Sequence, residues 1–349
     1  VVRRVAFAVP GDLATPTGGY AYDRRITAEL ARLGWSVDVF NLGDGFPRPT
    51  PAQRAEAEAQ LMAIPAGCPI VIDGLAFGVL PEIAAQLADH PLLALVHHPL
   101  ALESGLSAAE AEIFRASECA ALATATQIIV TSQTTARLLV SDYYVARERI
   151  VVACPGTDPA PAARGSNDGI VRLLAIGAIV PRKGYDVLIA ALATLTDLQW
   201  HLTIPGDRNR DPETATRLDA DIQRFDLGSR VAVLGAVSNE RLADLYAGAD
   251  IFTLASRYEG YGMVFAEAVA HGLPVIATKA GAIPETVPAG AGLLVPPDDA
   301  PALASALRHV IENCDERRLM ARTAREAARM LPTWQDSARV FSRALEAMA

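Results

Sequence analysis

Ile251-Phe252-Thr253-Leu254-Ala255-Ser256-Arg257-Tyr258-Glu259-Gly260-Tyr261-Gly262-Met263-Val264-Phe265-Ala266-Glu267, closed by Gly272 and Pro274, is the stretch of this 349-residue chain that decides its fold. The apolar run 251–254 predicts a short buried strand. Gly260 and Gly262 read as turn residues, and Met263 to His271 as a helix stopped by Gly272 and Pro274. Glu259, in the loop, and Glu267, expected in the helix's first turn, therefore flank a helix start just past a strand's carboxyl end. In an open parallel sheet, that is where ligands bind. The amides of Gly260, Tyr261, Gly262, Met263 and Val264 suit an anion, because a helix start carries positive partial charge and unpaired donors. Carboxylates repel phosphate and only accept hydrogen bonds. A glutamate on each side of an anion-binding turn therefore points to a ligand with hydroxyls on both sides of a phosphate group, which is the layout of a nucleotide sugar.

Outward from this stretch, the same strand-then-helix alternation fills the chain. In the first half the apolar runs are Val5 to Val9, Ser36 to Phe40, Ile70 to Ile72, Leu92 to Val96, Ile128 to Val130 and Ile150 to Ala153. In the second half they are Val171 to Ile176, Trp200 to Ile204, Arg230 to Leu234, Ile251 to Leu254, Pro274 to Ala277 and Gly292 to Val295. Runs without strict alternation suit parallel strands covered on both faces. Helical periodicity occupies the gaps, as in Ala108 to Ala125, Pro212 to Phe225 and Asn239 to Ala247. The predicted class is α/β, with two doubly wound Rossmann-like domains. The Pro- and Gly-rich segment Pro155 to Gly169 reads as the linker. This places an N-terminal domain at 1–160 and a C-terminal one at 168–331, with a last helix at 334–349 that either domain can accept.

Composition narrows the function. A net charge of -9 argues against nucleic acid or an anionic membrane as the main partner. The first 160 residues carry 11 arginines against 17 acidic residues. No apolar run approaches a membrane span, and no signal-peptide pattern precedes the first strand at Val1-Val2-Arg3, so a cytoplasmic protein is expected. Peripheral membrane contact is left open. Cys68, Cys119, Cys154 and Cys314 show neither CxxC nor zinc spacing and read as reduced core residues. Of 31 basic residues only Lys183 and Lys279 are lysines. Lys183 lies in Val180-Pro181-Arg182-Lys183-Gly184, between a strand and a helix, where a compact point charge suits phosphate.

Other candidate positions are weaker by themselves. Gly18-Gly19 precedes a helix in the first strand-helix turn, where paired glycines bring amides close to a ligand. His97-His98-Pro99 follows the strand Leu92 to Val96, so His97 also sits at a carboxyl end. Adjacent side chains diverge on extended chain and no other histidine lies at ligand spacing, so no metal site is expected. Asp219-Ala220-Asp221 falls inside a polar helix and reads as a solvated face, and Asp298-Asp299 as a loop and helix cap. The chain has no GxGxxG, GxSxG, HExxH or Walker motif, which counts against nicotinamide, serine-hydrolase, zinc-protease and P-loop chemistry.

Taken together, Glu259 through Glu267 and Arg182-Lys183-Gly184 resemble the E-x7-E segment and basic phosphate loop of the retaining glycosyltransferases of family 4 (glycosyl transferases group 1). Weaker matches are Gly18-Gly19, His97 with Pro99, Pro155-Gly156-Thr157-Asp158 and Gly235-Ala236-Val237. The resemblance implies the GT-B architecture, two Rossmann-like domains facing a central cleft. It implies that Glu267 holds the ribose, that Glu259 and the amides of Gly260 to Met263 hold the transferred sugar, and that Arg182, Lys183 and the amides of Gly18 and Gly19 neutralise the diphosphate. His97 would lie near the anomeric carbon, and Gly235 to Val237 would border the base. Gly177-Ala178-Ile179 and Ile204-Pro205-Gly206-Asp207 depart from the family's usual pattern. The implied activity is a metal-independent transferase for carbohydrate biosynthesis. It needs no cofactor and uses a UDP- or GDP-type nucleoside-diphosphate sugar with a hydroxyl acceptor (glycan, small metabolite or lipid-linked). A GT-B-like nucleotide-sugar epimerase and a catalytically inactive nucleotide-sugar-binding protein are the alternatives.

Overall fold

The computed structural model describes residues 3–103 and 105–348. Val1-Val2, Ser104 and Ala349, the end of the expected 334–349 helix, lie outside them. The chain divides into two compact units, residues 1–156 with 332–349, and Thr157–Leu331.

The first unit is built on a six-stranded sheet: β1 (Arg3–Val9), β2 (Trp35–Asn41), β3 (Ile70–Asp73), β4 (Leu92–Val96), β5 (Gln127–Val130) and β6 (Ile150–Val152). Its order is β2-β1-β3-β4-β5-β6 and every pairing is parallel. β3 and β4 are buried throughout, the mark of strands covered on both faces. The strand order reverses between β1 and β3. The loops after β1, β3 and β4 therefore converge on the switch point, where doubly wound sheets take ligands.

Residues 332–349 return to this unit. The helix Trp334–Glu346 is capped by a Thr333/Asp336 box and buries a stripe of Trp334, Ala338, Phe341 and Leu345. Phe341 stacks on Phe7 of β1 at 6.2 Å, and Ser342 Oγ accepts from Trp35 Nε1 at 2.9 Å. The incoming chain passes so close to Gly156 that a Cβ there would meet Trp334 N at 2.1 Å.

The second unit repeats the plan with β7 (Val171–Leu174), β8 (Trp200–Pro205), β9 (Val231–Gly235), β10 (Ile251–Leu254), β11 (Val275–Thr278) and β12 (Gly292–Val295). The order is β12-β11-β10-β7-β8-β9, again all parallel. Here the switch point lies between β7 and β10. The segment preceding β7 is not a loose tether along its whole length. Ala163 N donates to His271 O, Arg164 N to Ala247 O and Ser166 N to Asp250 Oδ1, at 2.8, 2.8 and 2.9 Å.

Two expectations are corrected. The cysteines are not core residues: Cys68, Cys119 and Cys154 are half-buried and Cys314 is exposed, and none of the four forms a disulfide. Glu267 is not in the first turn of its helix. That helix spans Met263–Ala270, and the glutamate sits one turn in.

Candidate active site

The second unit's switch point brings the two strongest motifs together. After β7 the chain makes a single 3₁₀ turn, Pro181–Lys183, closed by Gly184 in the left-handed region at φ 64°. A Cβ on Gly184 would lie 2.0 Å from the carbonyl oxygen of Ala255, so only glycine lets this turn rest against the end of β10. Across that contact, Lys183 Nζ lies 2.7 Å from Glu259 Oε1 and Arg182 Nη1 lies 3.3 Å from Oε2. Ser256 Oγ also donates to Oε1 at 2.6 Å, and Arg182 Nη1 to the carbonyl of Tyr258 at 2.9 Å. Glu259 is 5% exposed. Burial pushes its carboxyl toward the neutral form, but Lys183 and then Arg182 outweigh this and hold it at about 2.

The turn that follows is preorganised. Gly262 at φ 86° starts the helix Met263–Ala270 without a side-chain cap; Phe265 N donates to Gly262 O at 2.9 Å, and the amides of Met263 and Val264 are left as donors for a ligand. At the far end the helix stops as the glycine and proline predict. Leu273 N bonds to Ala268 O and Gly272 N to Val269 O, the Schellman pair, with Gly272 at φ 70°. The loop after β11 braces this segment from below. A Cβ on Gly281 would meet Glu259 O at 2.2 Å, Ala282 N donates to that oxygen at 2.9 Å, and Thr286 Oγ1 donates to Tyr261 O at 2.6 Å.

Arg257 staples the two turns. Its guanidinium reaches Asp186 and Asp298, both at 2.7 Å, and Pro181 O, while its own amide donates to Arg182 O at 2.8 Å. Gly281, Thr286 and Arg257 did not stand out in the sequence, because each acts through the shape of a loop and carries no chemistry of its own.

Glu267 accepts from Tyr246 OH at 2.8 Å, and Tyr246 stacks on His271 with ring centroids 4.7 Å apart. Burial raises the Glu267 carboxyl above its ordinary range, the Tyr246 hydrogen bond opposes this, and Asp158 adds to the rise. Gly235 ends β9 at φ 71°, and its carbonyl accepts from Gly206 N at 2.8 Å. Val237 lies just before the Ser238 cap of the next helix.

In the first unit, Gly18 and Gly19 open the helix Gly18–Arg32, whose Thr17 cap accepts from Tyr20 N. His97 lies beside them, since a Cβ on Gly19 would sit 3.3 Å from its Cδ2. The sequence reading missed what holds the imidazole. Nε2 contacts Asp23 Oδ1 at 3.2 Å and Asp73 Oδ2 at 3.1 Å, and both acids are buried. The signals were present: Asp23 interrupts the apolar stripe of Tyr22, Ile26 and Leu30, and Asp73 ends an apolar strand. The three side chains place donor atoms within 4.8 Å of one another. Burial favours the uncharged ring, yet Asp23 and Asp73 lift His97 to about 10; burial likewise lifts the Asp23 carboxyl to about 7, with Asp73 adding to the rise and His97 opposing it, so the three side chains share their protons as one group.

Residues 158–327 match the family model for Glycosyl transferases group 1. The second unit is a group 1 glycosyltransferase domain.

Relatives of this group 1 domain agree with the assignment. Over 174 residues the chain is 33% identical to mannosylfructose-phosphate synthase of Agrobacterium fabrum, a match covering 45% of the chain and 38% of that protein. As here, the match to several relatives spans less than two thirds of their own length. The chain is also 29% identical to D-inositol 3-phosphate glycosyltransferase 1 of Catenulispora acidiphila, covering 86% of the chain and 85% of the relative. Among solved structures, sucrose-phosphate synthase from Thermosynechococcus elongatus superposes with a TM-score of 0.86 at 25% identity, covering 99% of each chain. The group 1 domain and its companion thus have the two Rossmann-like domains of the GT-B fold. Among the described residues no helix is long and apolar enough to cross a membrane.

Proposed function

We propose that the chain is a retaining, metal-independent glycosyltransferase of family 4 that moves a sugar from a nucleoside-diphosphate sugar to a hydroxyl acceptor. One observation carries this reading: the contact of Glu259 with Lys183 and Arg182, at 2.7 and 3.3 Å, beside the uncapped helix start at Gly262. Two cations at the end of one strand and an uncapped helix start at the end of its neighbour suit a departing diphosphate, the species on which negative charge develops in glycosyl transfer. Glu267, one turn along the same helix, takes the ribose hydroxyls, and Gly235 to Val237 border the base. The amides of Gly260 to Met263, with the remaining acceptor capacity of Glu259, take the sugar.

Glu259 is a poor nucleophile here. Oε1 already receives Lys183 and Ser256 and Oε2 receives Arg182, and a carboxylate at about 2 is weakly basic. The chemistry that remains is same-face substitution: the C1–O bond to phosphate breaks, the C1–O bond to the acceptor forms, and the acceptor's proton passes to the phosphate oxygen. The acceptor goes to the first unit, and the proposed setting is a reducing compartment, the cytoplasm.

The test is a screen of UDP- and GDP-sugars against sugars, polyols and sugar phosphates with EDTA present. The sugar phosphates belong in it because the relatives' names include phosphorylated compounds. Transfer with the donor's anomeric configuration kept is the expected result. Conversion of the donor without an acceptor would mark an epimerase, tight donor binding without turnover an inactive binding protein, and rescue by a divalent cation a metal-dependent enzyme.

A further inference from the structure

The Asp23-His97-Asp73 cluster holds more than the transfer reaction as written requires. Asp23 is 0% exposed and Asp73 3%. Two buried carboxylates on one imidazole nitrogen cost desolvation that the fold has to offset, and that cost calls for a reason. The ring is held on several sides. Tyr22 meets it edge-on at 5.3 Å and is itself fixed by its hydroxyl donating to Ala153 O at 2.9 Å. Gly19 passes alongside, Thr131 Oγ1 donates to the His97 carbonyl at 3.0 Å, and Leu75 N donates to Asp73 Oδ1 at 2.7 Å. Among the described residues Nδ1 has no hydrogen-bond partner, and the side chain keeps 20% of its surface exposed. The structure therefore fixes one nitrogen and leaves the other available.

We propose that Asp23 and Asp73 are positioning residues that keep His97 doubly protonated, so that it meets a substrate oxygen as an Nδ1–H donor and never acts as a general base. The inference rests on the transferase reading for the identity of that substrate. Its electrostatics stand independently. A lone pair on Nε2 would face two carboxylate oxygens at 3.1 and 3.2 Å, so Nε2 carries a proton. The groups facing the ring are Asp23 and Tyr22 from the helix Gly18–Arg32 and Asp73 from the end of β3, while the neighbouring His98 pairs with Glu103 instead. Among the described residues neither aspartate pairs with a cation other than His97, and although burial lifts the Asp23 carboxyl to about 7, the ring, lifted to about 10 by the two acids, holds its second proton the more tightly, so Nδ1 is a donor. In the transfer step His97 gains and loses no proton. It lends a hydrogen bond to a sugar hydroxyl or to the departing phosphate oxygen.

The sign of the pH dependence follows. A histidine raised above its ordinary value stays charged through the neutral range and loses its proton only as pH climbs through the raised value. The test is an NMR titration of the His97 ring nitrogens in the intact protein, in Asp23→Asn and in Asp73→Asn, with circular dichroism as the check on folding. The wild-type ring is expected to stay protonated beyond pH 8.5, and each variant to titrate at least tenfold more readily. In parallel, the kcat of the Asp→Asn variants should fall as their His97 deprotonates and recover toward wild type at pH 6, with KM changing less. His97→Gln, a neutral donor, should retain more turnover than His97→Ala.

A wild-type ring that is neutral at pH 7.5 overturns the inference even if the variants fail to fold. A rate that rises as His97 loses its proton does the same. A chain that transfers no sugar yet keeps His97 protonated fails the transferase reading and leaves the charge assignment standing. Turnover with a neutral His97 does the opposite, keeping the transferase reading and overturning the charge assignment.

Discussion

At the scale of single residues, Glu259 is the member of the site whose role the structure changes most. The sequence placed it as a holder of sugar hydroxyls. The geometry adds that it first holds Lys183 and Arg182 in place, which a glutamate 76 residues away could not reveal before the strands were ordered. Lys183→Ala should lower kcat by about 10²–10³-fold, the loss typical of removing one preorganised partner of a developing charge. Lys183→Arg should restore part of it, and an unchanged kcat at saturating donor would refute the leaving-group role. Because the Glu259 carboxyl is held at about 2 against an ordinary 4.5, its stabilisation is complete above pH 4.5 and is lost as pH falls toward 2. Acid unfolding of Lys183→Ala should therefore begin at higher pH than in the wild type. On the proposed binding mode, Glu267→Gln tests the opposite end of the donor. If Glu267 holds the ribose as proposed, this change should raise KM about 10–100-fold with kcat nearly constant, as expected for a hydrogen bond made equally in ground and transition states.

At the scale of elements, all twelve strands were legible in the sequence, with β4, β10 and β12 correct at both ends. Buried parallel strands announce themselves through continuous apolar runs, and the glycines and prolines marked where they stop. What was not legible was the bracing between loops. Gly184 against Ala255, Gly281 against Glu259, and Arg257 across three partners depend on which strands are neighbours, and that information lies in the β12-β11-β10-β7-β8-β9 order. The Asp23 and Asp73 contacts to His97 escaped for the same reason, since a helix and two strands distant in sequence supply them. Gly184→Ala should be costly twice over, through a left-handed backbone and a Cβ 2.0 Å from a carbonyl oxygen. A fall in the midpoint of thermal unfolding of about 3–10 °C and weaker donor binding are expected together. Gly248→Ala is the control. It lies in the helix Asn239–Gly248 with nothing within 4 Å of its added methyl, and should be neutral or mildly stabilising.

At the scale of the whole molecule, the first unit is discontinuous. Phe341 and Leu345 are fully buried in it, and each contributes about 1.5–3 kcal/mol of apolar burial. A chain ended after Leu331 should therefore lose protection against hydrogen exchange in β1 and the helix Gly18–Arg32, while Thr157–Leu331 keeps its own. Equal loss in both units would show that the helix Trp334–Glu346 stabilises the molecule in some other way. The return of residues 332–349 to β1 also sets a timetable. Ribosomal synthesis delivers the chain in one direction, and domains generally fold as they emerge. The second unit is contiguous and complete once Leu331 is out, whereas the first must wait for residues 332–349 before its sheet is covered. The unit whose synthesis starts earlier is thus the one that finishes folding later, and in the interval it exposes the apolar surface of Phe7 and Trp35 that the returning helix will cover.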